Sequence, residues 1–302
     1  MTNKAVVIGA GEIGQAISKV LQDKGIAPIL WDRDPTKTTP GASLEEVIPQ
    51  TEFIFLCIPS WAMRAVINQI RPLLKEDTIL VSLAKGIEAG TKRTMGELLK
   101  ETLPQGQPFA LLSGPMIAEE LNQGKLGLGV VAAEKKESYE KILDLFRGTK
   151  LRVEYSDDPR SIALAAVLKN IYATAIGVTD ALDWNSNARA WFTAKATREM
   201  AEVIGALHGK KETAFGTAGL GDLLGTGYSP YSKNRRTGDE LVKNSWRPTD
   251  AAKRSEGINS LPLVLELLGN RKNDFPILKA LEGVFSKHED ARQIFEELVS
   301  QK

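Results

Sequence analysis

A glycine-rich turn near the start of the chain constrains its fold more than any other feature. The apolar run Ala5–Ile8 predicts a buried strand, and Gly9–Gly14 follows it directly with the pattern Gly-x-Gly-x-x-Gly and opens an amphipathic stretch. In this setting the first glycine permits a tight turn, the second lets the backbone approach a pyrophosphate, and the third lets the helix pack closely on the strand. The N-terminus of such a helix offers N–H groups and positive potential to phosphates. The turn therefore predicts a dinucleotide-binding βαβ unit rather than a glycine-rich turn without a ligand.

Short β-branched runs alternate with helical patterns through the first half of the chain. Besides the first run, the predicted buried strands are Pro28–Trp31, Phe53–Ile58, Thr78–Leu83 and Phe109–Leu112, with amphipathic stretches such as Gly14–Gln22 and Trp61–Leu74 between them. Strands and helices that alternate at this spacing imply right-handed crossovers and a parallel sheet. Two later runs, Gly127–Ala133 and Leu151–Tyr155, flank a helical stretch at Lys136–Phe146 and are expected to extend the sheet.

The pattern changes in the second half of the chain, where almost no strand signal is found. Asp157-Asp158-Pro159 is a typical helix start, with an acidic cap before a proline in the first turn. The longest apolar stretch, Ser161–Leu182, carries Lys169 and Asn170 at its centre, and a central lysine would be costly in a membrane. We therefore predict a buried helix of a helical domain at this position.

Length and composition fit an ordinary two-domain globular protein. With 302 residues, 42% of them hydrophobic, the chain can build a real core. We predict an α/β Rossmann-type domain with a parallel sheet at residues 1–156, followed by an all-α helical domain at residues 157–302. The 39 Lys and Arg residues nearly balance the 38 Asp and Glu residues, which argues against a charge-driven nucleic-acid or anionic-membrane partner. One cysteine and two histidines argue against a disulfide framework and a metal site, and a start without a signal-peptide layout makes the cytoplasm the expected location.

The end of the second predicted strand bears on the choice of cofactor. Asp32 lies 18 residues after Gly14, where an acidic side chain can accept a hydrogen bond from the 2′-hydroxyl of an adenosine ribose. Arg33 follows at once, and its guanidinium could instead hold the 2′-phosphate of NADP. Both side chains could also be solvated charges at a strand end. The pair favours NAD as the cofactor and leaves NADP open.

Candidate catalytic residues are polar side chains in otherwise apolar settings. Lys85 follows a predicted strand at its carboxyl end, where open parallel sheets bind ligands. Lys169 has alanines at three positions one turn away, which predicts a buried position rather than a solvent-facing one. Burial disfavours the charged form of a lysine and so makes it better suited to proton transfer. Asp222 lies in an apolar, glycine-rich setting. The run Tyr231–Arg236 carries polar donors and three cations, so that it is either an anion site or a solvated basic turn.

A series of motifs runs through the chain in a fixed order. They are Gly9–Gly14, Trp31–Pro35, Lys85-Gly86, Ser113–Pro115 with Ala118–Glu120, Lys169-Asn170, Asn187–Arg189, Gly219–Leu223 with Thr226, Ser232–Arg236 and Glu256-Gly257. In order and spacing, and over nearly the whole chain, they resemble the NAD(P)-dependent glycerol-3-phosphate dehydrogenase family. The resemblance implies an N-terminal Rossmann domain, a helical C-terminal domain, and interconversion of dihydroxyacetone phosphate and sn-glycerol 3-phosphate by hydride transfer. It also implies a homodimer built on the helical domain and a role in supplying glycerol 3-phosphate for membrane lipids.

The resemblance further implies roles for individual residues. Lys169 matches the general acid/base, Lys85 matches a lysine that contacts substrate and cofactor, and Asp222 would orient Lys169. The implied cofactor-binding residues are Gly9, Gly11, Glu12, Ile13, Gly14, Asp32, Arg33, Lys85, Ala118, Lys233 and Glu256. The implied substrate-binding residues are Lys85, Gly114, Lys169, Asp222, Thr226, Ser232, Lys233 and Asn234, of which Ser232 and Asn234 match phosphate ligands.

Four departures from the family pattern bear on substrate and cofactor. Lys233 stands where the family usually has arginine, so that a point charge replaces a bidentate phosphate ligand. Met116 replaces a small hydroxyl residue, Ile13 replaces a tryptophan, and the segment after Asp34 is shorter than usual. The first two leave open a related NAD-dependent dehydrogenase of another small phosphorylated or carboxylated hydroxy compound. A noncatalytic NAD-binding sensor is the alternative outside enzymes, and the set of lysines and aspartate speaks against it.

Overall fold

A computed structural model describes residues 5–243 and 255–300 of the chain. Contacts within the chain divide it into two compact units, Met1–Ala163 and Leu164–Lys302. The first unit is built on a seven-stranded sheet, and the described part of the second is helical.

The sheet of the first unit has seven strands, and the strand that precedes the glycine turn lies next to one edge. Its strands are β1 (Ala5–Ile8), β2 (Ile29–Trp31), β3 (Phe53–Leu56), β4 (Ile79–Ser82), β5 (Phe109–Ser113), β6 (Gly127–Ala132) and β7 (Leu151–Ser156), in the spatial order β2-β1-β3-β4-β5-β6-β7. All seven predicted strands are confirmed, with ends that differ by at most two residues. β1, β3 and β4 are buried along their whole length, as expected of parallel strands covered on both faces. The chain order reverses between β1 and β3, which places the end of β1 at the switch point where such sheets bind ligands.

One strand pair departs from the parallel arrangement. β6 runs antiparallel to β5, whereas every other neighbouring pair in the sheet is parallel. The connection between them contains only α5 (Ala118–Asn122), which at the rise of an α-helix is about 7 Å long. Because β5 is roughly 16 Å long, this helix is too short to return the chain to the start of the sheet. The sheet is therefore mostly parallel, with a reversal that the pattern of strands and helices did not predict.

The other helices of this unit connect the strands and cover the sheet. They are α1 (Glu12–Asp23), α2 (Leu44–Val47), α3 (Met63–Ile70), α4 (Met95–Thr102) and α6 (Lys136–Phe146). The helix predicted at Trp61–Leu74 is α3 flanked by 3₁₀ turns at Ser60–Ala62 and Arg71–Leu73. α3 ends before Pro72, which has no N–H to donate to a helical carbonyl. Side chains from α1 and α6 pack on the sheet, where the rings of Phe55 and Phe146 lie 6.0 Å apart.

The long apolar stretch forms α7 (Pro159–Ala181), and Asp158 caps it by accepting the Ser161 N–H at 3.0 Å. Among the described residues it is the one helix long and apolar enough to cross a membrane, and its most apolar window is buried throughout. The prediction of a buried core helix is therefore confirmed. The remaining helices are α8 (Ser186–Ala206), α9 (Asp222–Tyr228), α10 (Lys233–Lys243), α11 (Glu256–Leu268), α12 (Pro276–Ser286) and α13 (Ala291–Ser300).

Two glycines let α7 and α10 cross at very short range. A Cβ at Gly177 would lie 1.9 Å from the carbonyl oxygen of Arg235, and a Cβ at Gly238 would lie 2.0 Å from the carbonyl oxygen of Thr174. Because the obstructing atoms are backbone, a side chain at either position would force the helices apart. The crossing thus fixes α10 against the helix that carries Lys169.

A buried glutamate ties α8 to the start of α12. Glu199 accepts the N–H groups of Ile277 and Leu278 at 2.7 and 2.9 Å and the hydroxyl of Tyr172 at 3.1 Å. Burial raises the pKa of Glu199 to about 7, while these hydrogen bonds act in the opposite direction. The carboxylate satisfies N–H groups that a helix start would otherwise leave unpaired.

Candidate active site

The turn after β1 has the geometry that a pyrophosphate-binding loop requires. Gly9 has a φ of +101°, and a Cβ at Gly14 would lie 1.8 Å from the Gly9 carbonyl oxygen. A Cβ at Gly11 would meet no atom within 4 Å, so this face of the loop is open. In the described chain no side chain caps the N-terminus of α1. The open face and the uncapped helix end both fit the phosphates of a dinucleotide.

Asp32 braces this loop from the end of β2. Its Oδ2 accepts the Ala10 N–H at 2.7 Å, and its Oδ1 accepts the Asp34 N–H at 3.0 Å. Each carboxylate oxygen can accept a second bond, so the group retains acceptor capacity for a ribose hydroxyl. Arg33 is exposed, and we find no ion pair or hydrogen bond for its guanidinium among the described residues. The end of β2 thus presents a fixed carboxylate beside an exposed cation.

The short segment after Asp34 closes over the edge of β2. The hydroxyl of Thr38 accepts the Asp32 N–H and donates to the Asp32 carbonyl, both at 2.9 Å. The hydroxyl of Thr39 accepts the Leu30 N–H at 3.0 Å, and its N–H donates to the Leu30 carbonyl at 2.7 Å. These bonds pair backbone groups of the edge strand and hold Asp32 in place. The shorter segment after Asp34 therefore keeps the predicted cofactor-binding residue Asp32 in position.

Lys85 and Gly114 lie on the loops that leave β4 and β5, and they are in contact. Lys85 Nζ donates to the Gly114 carbonyl oxygen at 3.2 Å. Gly114 has a φ of +124°, and a Cβ there would lie 2.8 Å from the carbonyl oxygen of Leu128. The ammonium is therefore fixed at the carboxyl ends of the strands, where the sequence predicts a ligand site.

Ala118 begins α5, which packs on α1. The side chain of Asn122 donates to the Glu12 carbonyl oxygen at 3.3 Å, and the Asn122 carbonyl accepts from Lys19 Nζ at 2.6 Å. The helix that starts at Ala118 therefore supports the first turn of α1, which follows the glycine loop.

Two of the four departures from the family pattern are packing residues. Met116 is 7% exposed and belongs to the buried cluster of the first unit. Ile13 is half-buried and packs against the same cluster. Met116 therefore packs inside the first unit, and its effect on the choice of substrate stays a prediction.

Three buried polar side chains meet in the helical unit. Lys169 Nζ donates to Thr226 Oγ1 at 2.7 Å and lies 3.1 Å from Asp222 Oδ1, to which Thr226 also donates at 3.1 Å. The three residues are 5%, 9% and 2% exposed, for Lys169, Thr226 and Asp222 respectively. Lys169 comes from α7, and the other two lie one turn apart on α9. A buried ion pair is weak evidence for stability, because desolvation offsets the attraction, so this cluster is a candidate functional centre.

Asn234 connects three helices of the same unit. Its Nδ2 donates to Asn170 Oδ1 at 2.8 Å, and its Oδ1 accepts the Ser255 hydroxyl at 2.8 Å and the Gly257 N–H at 3.0 Å. The bonds join α7 and α10 to the start of α11, where Glu256 lies. Sequence reasoning assigned no partner to Asn170, since 64 residues separate it from Asn234.

The predicted phosphate ligands Ser232 and Lys233 lie at the start of α10. The hydroxyl of buried Ser232 accepts the Arg235 N–H at 3.2 Å, and Lys233 is exposed. Arg235 Nε donates to Asp180 Oδ2 at 2.5 Å, and Asp180 also pairs with Arg189 at 3.1 Å. Sequence reasoning missed this second ion cluster, although Arg189 and Arg235 both lie in the motifs that it singled out. The cluster anchors the first turn of α10 to α7 and α8.

Comparisons with known proteins place both halves of the chain. The family model described as NAD-dependent glycerol-3-phosphate dehydrogenase N-terminus matches residues 35–139, and the corresponding C-terminus model matches residues 158–296. The chain belongs to the NAD-dependent glycerol-3-phosphate dehydrogenase family. A glycerol-3-phosphate dehydrogenase (NAD(P)+) of Clostridium tetani is 30% identical over 99% of this chain and 93% of its own, and one of Clostridium perfringens is 32% identical over 78% of each. The crystal structure of glycerol-3-phosphate dehydrogenase from Coxiella burnetii is 26% identical and matches with a TM-score of 0.86 over 99% of both chains.

Membership in the glycerol-3-phosphate dehydrogenase family decides two of the predictions from sequence. The protein is an NAD(P)-dependent oxidoreductase, and its cofactor class is the nicotinamide dinucleotides. The Rossmann-type sheet followed by helices is also the architecture of the Coxiella burnetii enzyme.

Proposed function

We propose that the protein interconverts dihydroxyacetone phosphate and sn-glycerol 3-phosphate, with Lys169 as the general acid/base. The observation that carries the proposal is the buried ammonium of Lys169 in contact with Asp222 and Thr226. Reduction of a ketone needs a proton at the oxygen while hydride reaches the carbon. A buried, oriented ammonium is suited to supply that proton.

Lys169, Asp222 and Thr226 each have a separate role in the proposed proton transfer. The bound cofactor supplies the hydride, or accepts it in the reverse direction. Lys169 donates a proton from Nζ to the ketone oxygen as negative charge develops there. Asp222 stabilises the charged form of Lys169, and Thr226 accepts one of its N–H bonds and so directs the others. We propose that Lys85, on the loop after β4, contacts the substrate and the cofactor.

The start of α10 is proposed to bind the substrate phosphate. Lys233 supplies a positive charge, and Ser232 and Asn234 supply polar groups at the same helix end. Gly114, whose carbonyl oxygen accepts the hydrogen bond from Lys85, is proposed as a further substrate contact. Binding energy from the phosphate would orient the ketone and so raise the rate at the reacting carbon.

Turnover with and without the phosphate tests the proposed substrate. We expect kcat/KM with NADH to be at least ~10²-fold higher for dihydroxyacetone phosphate than for dihydroxyacetone, because the smaller ketone lacks the phosphate whose binding energy orients the reacting carbon. Oxidation of NADH, followed by absorbance, is the measurement. Faster turnover of another small phosphorylated or carboxylated hydroxy compound would favour the alternative substrate class. Binding of NADH without any turnover would favour a sensor.

The carboxylate of Asp32 predicts a preference for NADH over NADPH. A 2′-phosphate is repelled by the carboxylate, whereas a 2′-hydroxyl donates to it. We expect Asp32→Asn to reduce the preference for NADH, measured as kcat/KM with NADH divided by kcat/KM with NADPH. Arg33→Ala should lower kcat/KM with NADPH more than kcat/KM with NADH. Asparagine is preferred to alanine because it keeps an acceptor for the brace to Ala10 or Asp34. A preference of the unmodified protein for NADPH would contradict the assignment.

Lys233 is expected to matter for the substrate and not for folding, since it is exposed. Lys233→Ala should raise KM for dihydroxyacetone phosphate by about tenfold or more and lower kcat modestly, because remote binding energy positions the ketone. Lys233→Arg should retain or improve the affinity, because a guanidinium binds phosphate with two parallel hydrogen bonds. Steady-state kinetics of both variants are the measurement, and parental KM values in both would make this run a solvated basic turn.

The family also motivates proposals about domains and assembly. We propose residues 1–156 as the dinucleotide-binding domain and residues 157–302 as the substrate-binding and dimerisation domain of a cytoplasmic homodimer. In this proposal the product serves phospholipid synthesis.

A further inference from the structure

The loop between β4 and α4 carries Lys85 and then folds into a closed hairpin. Glu88 N–H donates to the Arg93 carbonyl oxygen at 2.9 Å, and Lys92 N–H donates to the Glu88 carbonyl oxygen at 2.8 Å. Ile87 and Thr94 form an isolated antiparallel bridge at the base of the hairpin. The loop is therefore ordered by its own backbone, and one of its side chains attaches it to α3.

That side chain is Glu88, which Arg64 of α3 holds with two hydrogen bonds. Arg64 Nε and Nη2 donate to the two oxygens of Glu88 at 2.5 and 2.7 Å, and the Thr91 hydroxyl donates to the same carboxylate. Arg64 also pairs with Glu101 at 3.2 Å, and Arg93 pairs with Glu101, both at the partly exposed rim of α4. The side chain of Glu88 is 14% exposed and that of Arg64 is 32% exposed. The Arg64 guanidinium lowers the pKa of Glu88, so the pair is fully ionised at neutral pH.

We infer that the Arg64–Glu88 pair is a positioning device that fixes Lys85 for its role in the reaction. The inference rests on the proposed function, since it needs Lys85 to act on the substrate or cofactor. Only Gly86 and buried Ile87 separate Lys85 from Glu88, so a forked, rigid attachment of Glu88 sets the position of the Lys85 backbone. The Lys85 ammonium then reaches the Gly114 carbonyl at 3.2 Å on the neighbouring loop. A displacement of about 1 Å of a reacting group can cost on the order of 10²-fold in rate.

Glu88→Gln separates positioning from folding in a double-mutant cycle with Lys85→Met. Glutamine keeps the shape of the side chain but loses the charge and one acceptor for the Arg64 fork. We expect Glu88→Gln alone to lower kcat/KM for dihydroxyacetone phosphate by about tenfold or more. In the Lys85→Met background the same change should leave the residual kcat/KM unaltered, because the group that it positions is gone. Thermal stability should fall by similar amounts in both backgrounds.

A second readout does not depend on activity. The rate at which acetic anhydride labels Lys85 in the ligand-free protein, followed by mass spectrometry, should rise several-fold in Glu88→Gln because the ammonium leaves Gly114. The matched control is Lys100→Ala, which removes an exposed ion pair with Glu134 from the same unit and should change neither quantity.

The outcomes separate this inference from the proposed function. Parental kcat/KM in Glu88→Gln, an equal loss in both backgrounds, or unchanged labelling of Lys85 would overturn the positioning role while leaving the dehydrogenase intact. Full activity of Lys85→Met would overturn it by removing Lys85 from the mechanism. Failure of the unmodified protein to reduce dihydroxyacetone phosphate would overturn the proposed function, and the inference with it.

Discussion

Lys169→Met should lower kcat by at least ~10²-fold, because loss of a general acid/base costs about 10²-fold at the low end of the usual range. NADH binding should stay near the parental level. The variant keeps the bulk of the side chain and removes the ammonium that lies 3.1 Å from Asp222 and 2.7 Å from Thr226. Cofactor binding should persist because the glycine loop and Asp32 belong to the other unit of the chain. Turnover and NADH binding measured on one sample test both halves of the expectation.

The stability of the same variant needs a control. The buried carboxylate of Asp222 loses the ammonium in this variant and keeps the Thr226 hydroxyl as a donor, and breaking a buried ion pair in this way costs about 3–5 kcal/mol. A drop in kcat could then reflect partial unfolding. The double variant Lys169→Met with Asp222→Asn removes both charges and should recover much of the stability. We expect its kcat to remain as low as that of Lys169→Met, which separates chemistry from folding. Near-parental turnover of either variant would remove Lys169 from the mechanism and leave Lys85 as the leading proton donor.

The elements that the sequence predicts best are those with a local signature. Short runs rich in apolar residues mark all seven strands, and Asp158 before Pro159 marks the start of α7. The glycine turn follows from spacing alone, because the positive φ of Gly9 and the close packing at Gly14 are properties of neighbouring residues. The direction of β6 has no such signature. It depends on the length of α5, which the sequence did not define.

Contacts between distant residues explain what sequence reasoning missed in the candidate site. The family resemblance implied that Asp222 orients Lys169, and the two side chains are in contact, although their catalytic roles stay predictions. Nothing in the local sequence links Asn170 to Asn234, or Arg64 to Glu88. A helical pattern gives the face on which a residue lies but not the neighbour that meets that face. The neighbour follows from where helices cross, and the crossing depends on small residues whose purpose appears only in three dimensions.

Gly238→Ala is expected to destabilise the protein strongly, and much more than Gly205→Ala, which adds the same methyl group elsewhere in the unit. A Cβ at this position would lie 2.0 Å from the carbonyl oxygen of Thr174 and 3.1 Å from the N of Val178, so α10 must move away from α7. Overpacking of this kind costs about 1–3 kcal/mol and sometimes more. Alanine regains only about 1 kcal/mol of helix propensity. We expect a net loss of about 2 kcal/mol, because the obstructing atoms are backbone and place the overpacking cost at the upper end of that range.

Gly205→Ala is the matched control for this loss, because it also adds one methyl group inside a helix of the same unit. There the added Cβ would lie 2.6 Å from Cε of Lys211, whose flexible side chain can turn away. The turn breaks an exposed ion pair with Glu202, which costs little. Urea unfolding should therefore show Gly205→Ala near the parental stability or slightly above it, and Gly238→Ala well below. Moving α10 should also weaken the bond between Asn234 and Asn170, so KM for dihydroxyacetone phosphate should rise in Gly238→Ala under conditions where it is folded. Equal stability of the two variants would show that the α7–α10 crossing adapts to a side chain and does not fix the site.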